Sequence, residues 1–163
     1  VTTAWFRVPA NADSLDNTGD SKPAAFSIFS PARQTKKLEQ DRNFDGRIDE
    51  ISTFNARGQY EETKSDDDFN GVFETTVRYE NNAFSMALTD RDGDGFPEVR
   101  AFYRFGLINV VEFVSPSTQK AVRVTHFRLS YADYADIDTD NDGVLDTREK
   151  YSLLGDIVSK EKL

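Results

Sequence analysis

The chain has 163 residues, 37% hydrophobic and 12% aromatic, which suits one folded domain with a core and is too aromatic for a disordered acidic tail. A net charge of −9 argues against a nucleic-acid partner, and the lack of cysteine excludes disulfides, thiolate metal sites and cysteine catalysis. No apolar run approaches the roughly 20 residues of a membrane-spanning helix, and a start at Val1 rather than Met fits a processed or trimmed N-terminus.

Residues 1–35 hold Pro9, Pro23 and Pro31 among many Ser, Asn and Asp, and read as an extended arm with one strand near residues 25–30. Its aromatic residues Trp5, Phe6, Phe26 and Phe29 are expected to close one end of a sheet. The stretch Asp16-Asn17-Thr18-Gly19-Asp20 has the look of a decayed acidic loop without the central glycine.

From residue 36 to residue 131 the chain reads as a β-repeat. Residues 72–80 alternate Phe73, Thr75, Val77 and Tyr79. Residues 97–105 alternate Val99, Ala101, Tyr103 and Phe105, and residues 121–131 are rich in β-branched and aromatic side chains. Plain turns are expected at Ala56-Arg57-Gly58, Asn81-Asn82-Ala83 and Phe105-Gly106-Leu107.

Between these strands, and once beyond them, stand four acidic loops. Loop 1 places Asp41, Asn43 and Asp45 at positions 1, 3 and 5, Gly46 at 6, Arg47 at 7 and Asp49 at 9. Loop 2 repeats this with Asp66, Asp68, Asn70, Gly71, Val72 and Glu74, and loop 3 with Asp90, Asp92, Asp94, Gly95, Phe96 and Glu98. Loop 4 has Asp138, Asp140, Asp142, Gly143, Val144 and Asp146, and adds Glu149 at position 12. The loops start 25, 24 and 48 residues apart, so one repeat has lost its acidic loop, near Ser115-Pro116-Ser117.

Residues 132–163 read as loop 4 followed by a short C-terminal α-helix over residues 147–160, with Tyr151, Leu154, Ile157 and Val158 near one face. The expected fold is mainly β. It is an antiparallel up-and-down meander of 24-residue repeats with the acidic loops along one edge, packed with the arm and helix as one domain. Loops two strands apart would lie roughly 9.6 Å from one another.

Oxygen-bearing side chains at alternate positions, a glycine for the sharp turn and a backbone carbonyl at position 7 are what a hard cation needs. Calcium takes 6–8 oxygens at about 2.3–2.6 Å. Fifteen of the 29 acidic residues occupy these ligand positions, and without them the chain would stand at +6. Asp, Asn and Gly also favour turns as such, but four loops in register, each acidic at position 9, go beyond turn chemistry.

Loop 4 resembles the twelve-residue EF-hand loop, which implies a bidentate Glu149. Loops 1 to 3, with Ser52, Val77 and Ala101 at position 12, resemble the β-hairpin calcium loops of FG-GAP repeats, and the spacing is also similar to that of thrombospondin type 3 repeats. The expected ligand is Ca2+. The expected role is that of a calcium-stabilised module, secreted or at the cell surface, acting in adhesion, scaffolding or protein recognition with another protein or surface component as partner. The alternative is an EF-hand-type sensor or buffer that changes conformation on binding. His126, the single histidine, sits in a strand pattern. No nucleophile motif, P-loop or dinucleotide fingerprint is present, so the chain is not read as an enzyme.

Overall fold

The computed structural model describes residues 12–15, 24–30 and 34–163. These contain thirteen strands. They are β1 (Ala12–Leu15), β2 (Ala25–Phe29), β3 (Thr35–Gln40), β4 (Glu50–Phe54), β5 (Tyr60–Ser65), β6 (Thr75–Glu80) and β7 (Ala83–Thr89). The series continues with β8 (Val99–Arg104), β9 (Leu107–Val114), β10 (Ala121–Arg128), β11 (Tyr131–Ile137), β12 (Thr147–Tyr151) and β13 (Ile157–Lys162). They fall into two compact units, Val1–Phe73 with β1 to β5 and Glu74–Leu163 with β6 to β13. Each unit is an antiparallel up-and-down meander.

Turns stand at residues 56–58, 81–82 and 105–106, where the sequence puts them, and a further one at Leu129-Ser130 breaks the stretch 121–131 that reads as strand. Asn81-Asn82, Phe105-Gly106 and Leu129-Ser130 are two-residue bends with both φ angles positive, the twist that matches a right-handed strand pair. In the second unit these bends, with residues 152–156, occupy one edge. Residues 90–98, 114–122 and 138–146 occupy the other.

Two expectations are corrected. No helix occurs among the described residues, and the stretch read as a C-terminal helix is the β12–β13 hairpin. Ladder pairing of β12 with both β11 and β13 outweighs the helix propensity of Arg148, Glu149 and Lys150, and Gly155 at φ 90° turns the chain back. The three-to-four-residue spacing of its apolar side chains comes from a bend with a strand on each side. The strand expected near residues 25–30 is β2, but it is part of a sheet rather than of an extended arm, since β1 pairs β2 and β2 pairs β3. Phe26 is buried there, whereas Trp5, Phe6 and residues 16–20 lie outside the described residues.

The apolar core is thin. Among the described residues only Ala24, Phe26, Val114 and Ala135 are buried hydrophobics, and no large side chain is fully enclosed. One face of the second unit carries a register row of small residues, Val77, Ala87, Ala101, Val111, Thr125 and Ala135, ending at Glu149. Polar pairs replace apolar ones, as with Ser52 Oγ and Thr63 Oγ1 at 2.8 Å. Backbone ladders and cross-strand pairs therefore carry much of the stability that a core supplies elsewhere. Among the described residues no helix is long and apolar enough to cross a membrane.

Candidate metal centre

All four acidic loops share one backbone design. Position 4 (Phe44, Phe69, Gly93, Asn141) and position 6 (Gly46, Gly71, Gly95, Gly143) both have positive φ. The position-1 aspartate ties the turn together. One of its oxygens accepts the position-6 N–H at 2.7, 2.8, 2.7 and 2.7 Å in loops 1 to 4. Its other oxygen accepts the position-5 N–H in loops 1, 2 and 4, and the Gly93 N–H in loop 3.

Positions 3 and 5 repeat the same economy. Asn43, Asp68, Asp92 and Asp140 each accept the N–H two residues ahead through one oxygen. Asp45, Asn70, Asp94 and Asp142 do so toward Arg47, Val72, Phe96 and Val144 at 2.7–2.8 Å. One side-chain oxygen thus shapes the loop at these positions, and at Asp45 the second also accepts, from the Asn43 amide. At position 9 the carboxylate accepts the position-2 N–H from Arg42, Arg91 or Thr139.

The convergence is tight enough for a cation. In loop 3, Asp90, Asp92, Asp94 and Glu98 each place a carboxylate oxygen within 4.8 Å of the others. Asp66, Asp68 and Glu74, and Asp138, Asp140 and Asp146, form groups of the same span. Opposite ligands of an ion at about 2.4 Å would stand about 4.8 Å apart. Glu98 adds an independent observation. Its Oε2 accepts the Arg91 N–H, but its Oε1 is buried without a hydrogen-bond partner, a costly state for a carboxylate oxygen.

Loop 1 differs because it carries its own cation. The Arg42 backbone N–H and guanidinium both reach Asp49, and Arg42 Nη2 donates to the Asp66 carbonyl at 2.6 Å. The guanidinium also lies 5.4 Å from the Phe69 ring centroid and within 3.7 Å of Glu50. Loop 1 is not among the convergent acidic groups.

Neither Asp142 nor Glu149 belongs to the convergent group of loop 4, which is Asp138, Asp140 and Asp146. As the third residue of β12, Glu149 is 6% exposed and points into a cluster of its own. Lys160 Nζ donates to it at 2.6 Å, Tyr151 Oη donates at 2.8 Å, and Arg123 lies at 3.7 Å and also bonds Tyr151. The Lys160 bond, then that of Tyr151, holds the Glu149 carboxyl below the ordinary glutamate range against the opposing effect of burial. Loop 4 is followed by strand β12 rather than by a helix, and its convergent acidic group lies within positions 1 to 9. Its Asp146 carboxyl is held below the usual aspartate range by the hydroxyls of Thr147 and Thr139.

The loops are joined by the backbone. The position-1 N–H donates to the position-9 carbonyl of the preceding turn at Asp66→Asp49 (2.8 Å), Asp90→Glu74 (2.9 Å), Val114→Glu98 (2.8 Å) and Asp138→Val122 (3.0 Å). Residues 114–122 thus fill the place of the lost acidic loop, with Gln119 at φ 55° where the others have glycine. From this segment Lys120 reaches loop 4. A Cβ at Gly143 would lie 2.4 Å from Lys120 Cδ and 2.7 Å from Nζ.

Sequence reasoning missed Arg42, Lys120 and the Arg123–Tyr151–Lys160 cluster. A cation at position 2 is shared by Arg42 and by Arg91 of loop 3, whose guanidinium lies over the Phe113 ring instead, so sequence alone does not separate them. The others depend on cross-strand register.

No protein-family model matches the chain, and no curated protein matches it. Among solved structures, one similar chain belongs to the crystal structure of accessory secretory protein 1, 2 and 3 in Streptococcus pneumoniae. It is 15% identical with a TM-score of 0.45, over 64% of this chain and 19% of that one. This chain therefore spans about a fifth of that chain's length, and the likeness carries no argument about function.

Proposed function

We propose that this protein is a calcium-binding, calcium-stabilised β-repeat module, secreted or at the cell surface, acting in adhesion, scaffolding or protein recognition. Calcium braces the turns along the acidic edge, one ion in each of loops 2, 3 and 4. The 24- or 25-residue unit of strand, plain bend, strand and acidic loop is the repeat on which these sites are strung.

The observation that carries this reading is the loop 3 group with the orphaned Oε1 of Glu98. Four carboxylates within 4.8 Å of one another make six like-charge pairs, each repelling by roughly 0.9 kcal/mol in bulk water. Salt lowers that sum, yet it stays appreciable beside a domain stability of about 5–15 kcal/mol. A divalent ion removes the repulsion and gives Glu98 Oε1 a partner. The all-oxygen donor set favours calcium over softer metals.

The thin apolar core and the absence of cysteine support a structural role for the ion. A site filled at a hundredfold excess over its dissociation constant adds about 2.7 kcal/mol, and affinity of about 10⁻⁴–10⁻³ M suffices outside the cell. A calcium titration followed by both heat release and circular dichroism tests the proposal. Saturable binding of about three ions with a rise in thermal midpoint is expected. No binding at millimolar calcium overturns it.

A further inference from the structure

At the edge of the second unit opposite the acidic loops, hairpin bends recur at a 24-residue interval, their first residues being Asn81, Phe105, Leu129 and Leu153. At the first three the backbone is the same, with φ 52°, 52° and 51°. An L side chain with a Cβ pays for this left-handed conformation, and asparagine and glycine are the residues that suit it. Asn81 obeys that rule. Phe105 and Leu129 break it, and both side chains face solvent, 90% and 77% exposed. At the fourth bend Leu154 is 91% exposed. The molecule thus accepts backbone strain and apolar exposure together, in a row of tips about 9.6 Å apart, and gains no burial from either.

The charge at the two central tips selects the occupant, whereas the outer bends carry the exposed acids Glu80 and Asp156. Arg104 directly precedes Phe105 and Arg128 directly precedes Leu129. Both are exposed, and neither has a carboxylate partner among the described residues. Arg104 rests on the Phe105 ring, 5.5 Å from its centroid. Residues 99–111 and 121–132 contain no acidic residue in a chain of net charge −9. Apolar side chains at hairpin tips with arginines beside them match an interface that is apolar inside and anionic at its surface.

From this placement we infer that the bend edge of the second unit is a docking surface for an anionic lipid membrane. Phe105, Leu129 and Leu154 enter the headgroup–acyl boundary, and Arg104 and Arg128 meet the lipid phosphates and carboxylates. The surface is independent of the proposed calcium sites, which lie on the other edge.

Vesicle sedimentation tests it, in calcium, with circular dichroism confirming that each protein is folded. The probes are vesicles of phosphatidylcholine alone and of phosphatidylcholine mixed with phosphatidylserine. The parent chain should bind the mixed vesicles more tightly than the neutral ones. The double variant Phe105→Asn/Leu129→Asn restores the residue that the bend prefers, so it should melt no lower than the parent while its partitioning falls at least about tenfold. Arg104→Gln/Arg128→Gln should lose the preference for phosphatidylserine.

Binding that survives the Phe105→Asn/Leu129→Asn change would assign the vesicle contact to calcium bridging at the acidic edge and overturn the inference. Equal affinity for neutral and mixed vesicles would also overturn it. So would a parent chain that ignores vesicles but self-associates through these tips in sedimentation equilibrium, because the occupant would then be a second copy.

Discussion

Lys160 Nζ donates to a Glu149 carboxylate oxygen at 2.6 Å, between residues that face each other across the β12–β13 pair. That bond removes Glu149 from the acidic loop and makes it a clamp on strand β13. Glu149→Gln should therefore leave the number and affinity of calcium sites unchanged in titration calorimetry. It should lower stability by about 1–2 kcal/mol, since a buried acceptor loses its charge while Lys160 is largely exposed. A lost calcium site in this variant would return Glu149 to the loop.

The same cluster sets an acid limb. Because the folded carboxyl of Glu149 is held below its ordinary value, its contribution is complete above the unfolded glutamate pKa of about 4.3 and disappears as pH falls through the lower folded value. Urea unfolding of the parent across that window should show stability falling with acid more steeply than in Glu149→Gln. Parallel profiles for the two proteins would contradict the assignment.

Glu98→Gln should act with opposite signs in two conditions. In chelator it removes a charged group with a buried, unpartnered oxygen from a repelling cluster, so the thermal midpoint should rise. In millimolar calcium it weakens a ligand, so the midpoint should fall and the affinity of one site should drop about tenfold or more. A shift of the same sign in both buffers would mean that Glu98 does not face the ion.

Arg42 is the built-in cation of loop 1. Arg42→Gln should destabilise the chain by about 1–2 kcal/mol in chelator, because Asp49 is buried and the Asp66 carbonyl loses its donor. The loss should shrink in high calcium, when an ion can serve Asp49 instead. Differential scanning calorimetry at both calcium levels measures the contrast, and an equal loss in each would sink this account of loop 1.

Gly95→Ala tests backbone alone. Nothing lies within 4 Å of the added methyl, but the φ of 93° strains any L side chain, so a loss of about 1–2 kcal/mol is expected. Gly143→Ala should cost little more, since what it meets is the far end of Lys120. Chemical denaturation of both variants decides it, and a much larger loss at Gly143 would show that Lys120 is fixed in place.

Much of the sheet was legible in the sequence because its strands alternate cleanly and its bends carry Asn-Asn and Phe-Gly pairs. A turn midway through the 48-residue gap was legible from the spacing alone, and residues 114–122 form one. The β12–β13 hairpin was not, because good helix formers at Arg148, Glu149 and Lys150 precede Leu154, Ile157 and Val158 at a helix-like spacing. Only the pairing of β12 with β11 and β13 decides against a helix, and that information is not local. Glu149 shows the same limit: its distance from Asp138 along the chain fits a metal ligand, while its position in space depends on a strand that follows it.

Residues 114–122 have a consequence for how the acidic edge charges. They set loop 3 and loop 4 four strands apart, about 19 Å, more than twice the roughly 8 Å over which physiological salt damps a field. The turn carries no acidic residue, and its one charge is the cation Lys120, so it separates the two carboxylate clusters electrically. On the proposed calcium reading, an ion arriving at Asp90 should leave the affinity at Asp138 untouched, so that the two ends of the second unit load as separate, uncorrelated events.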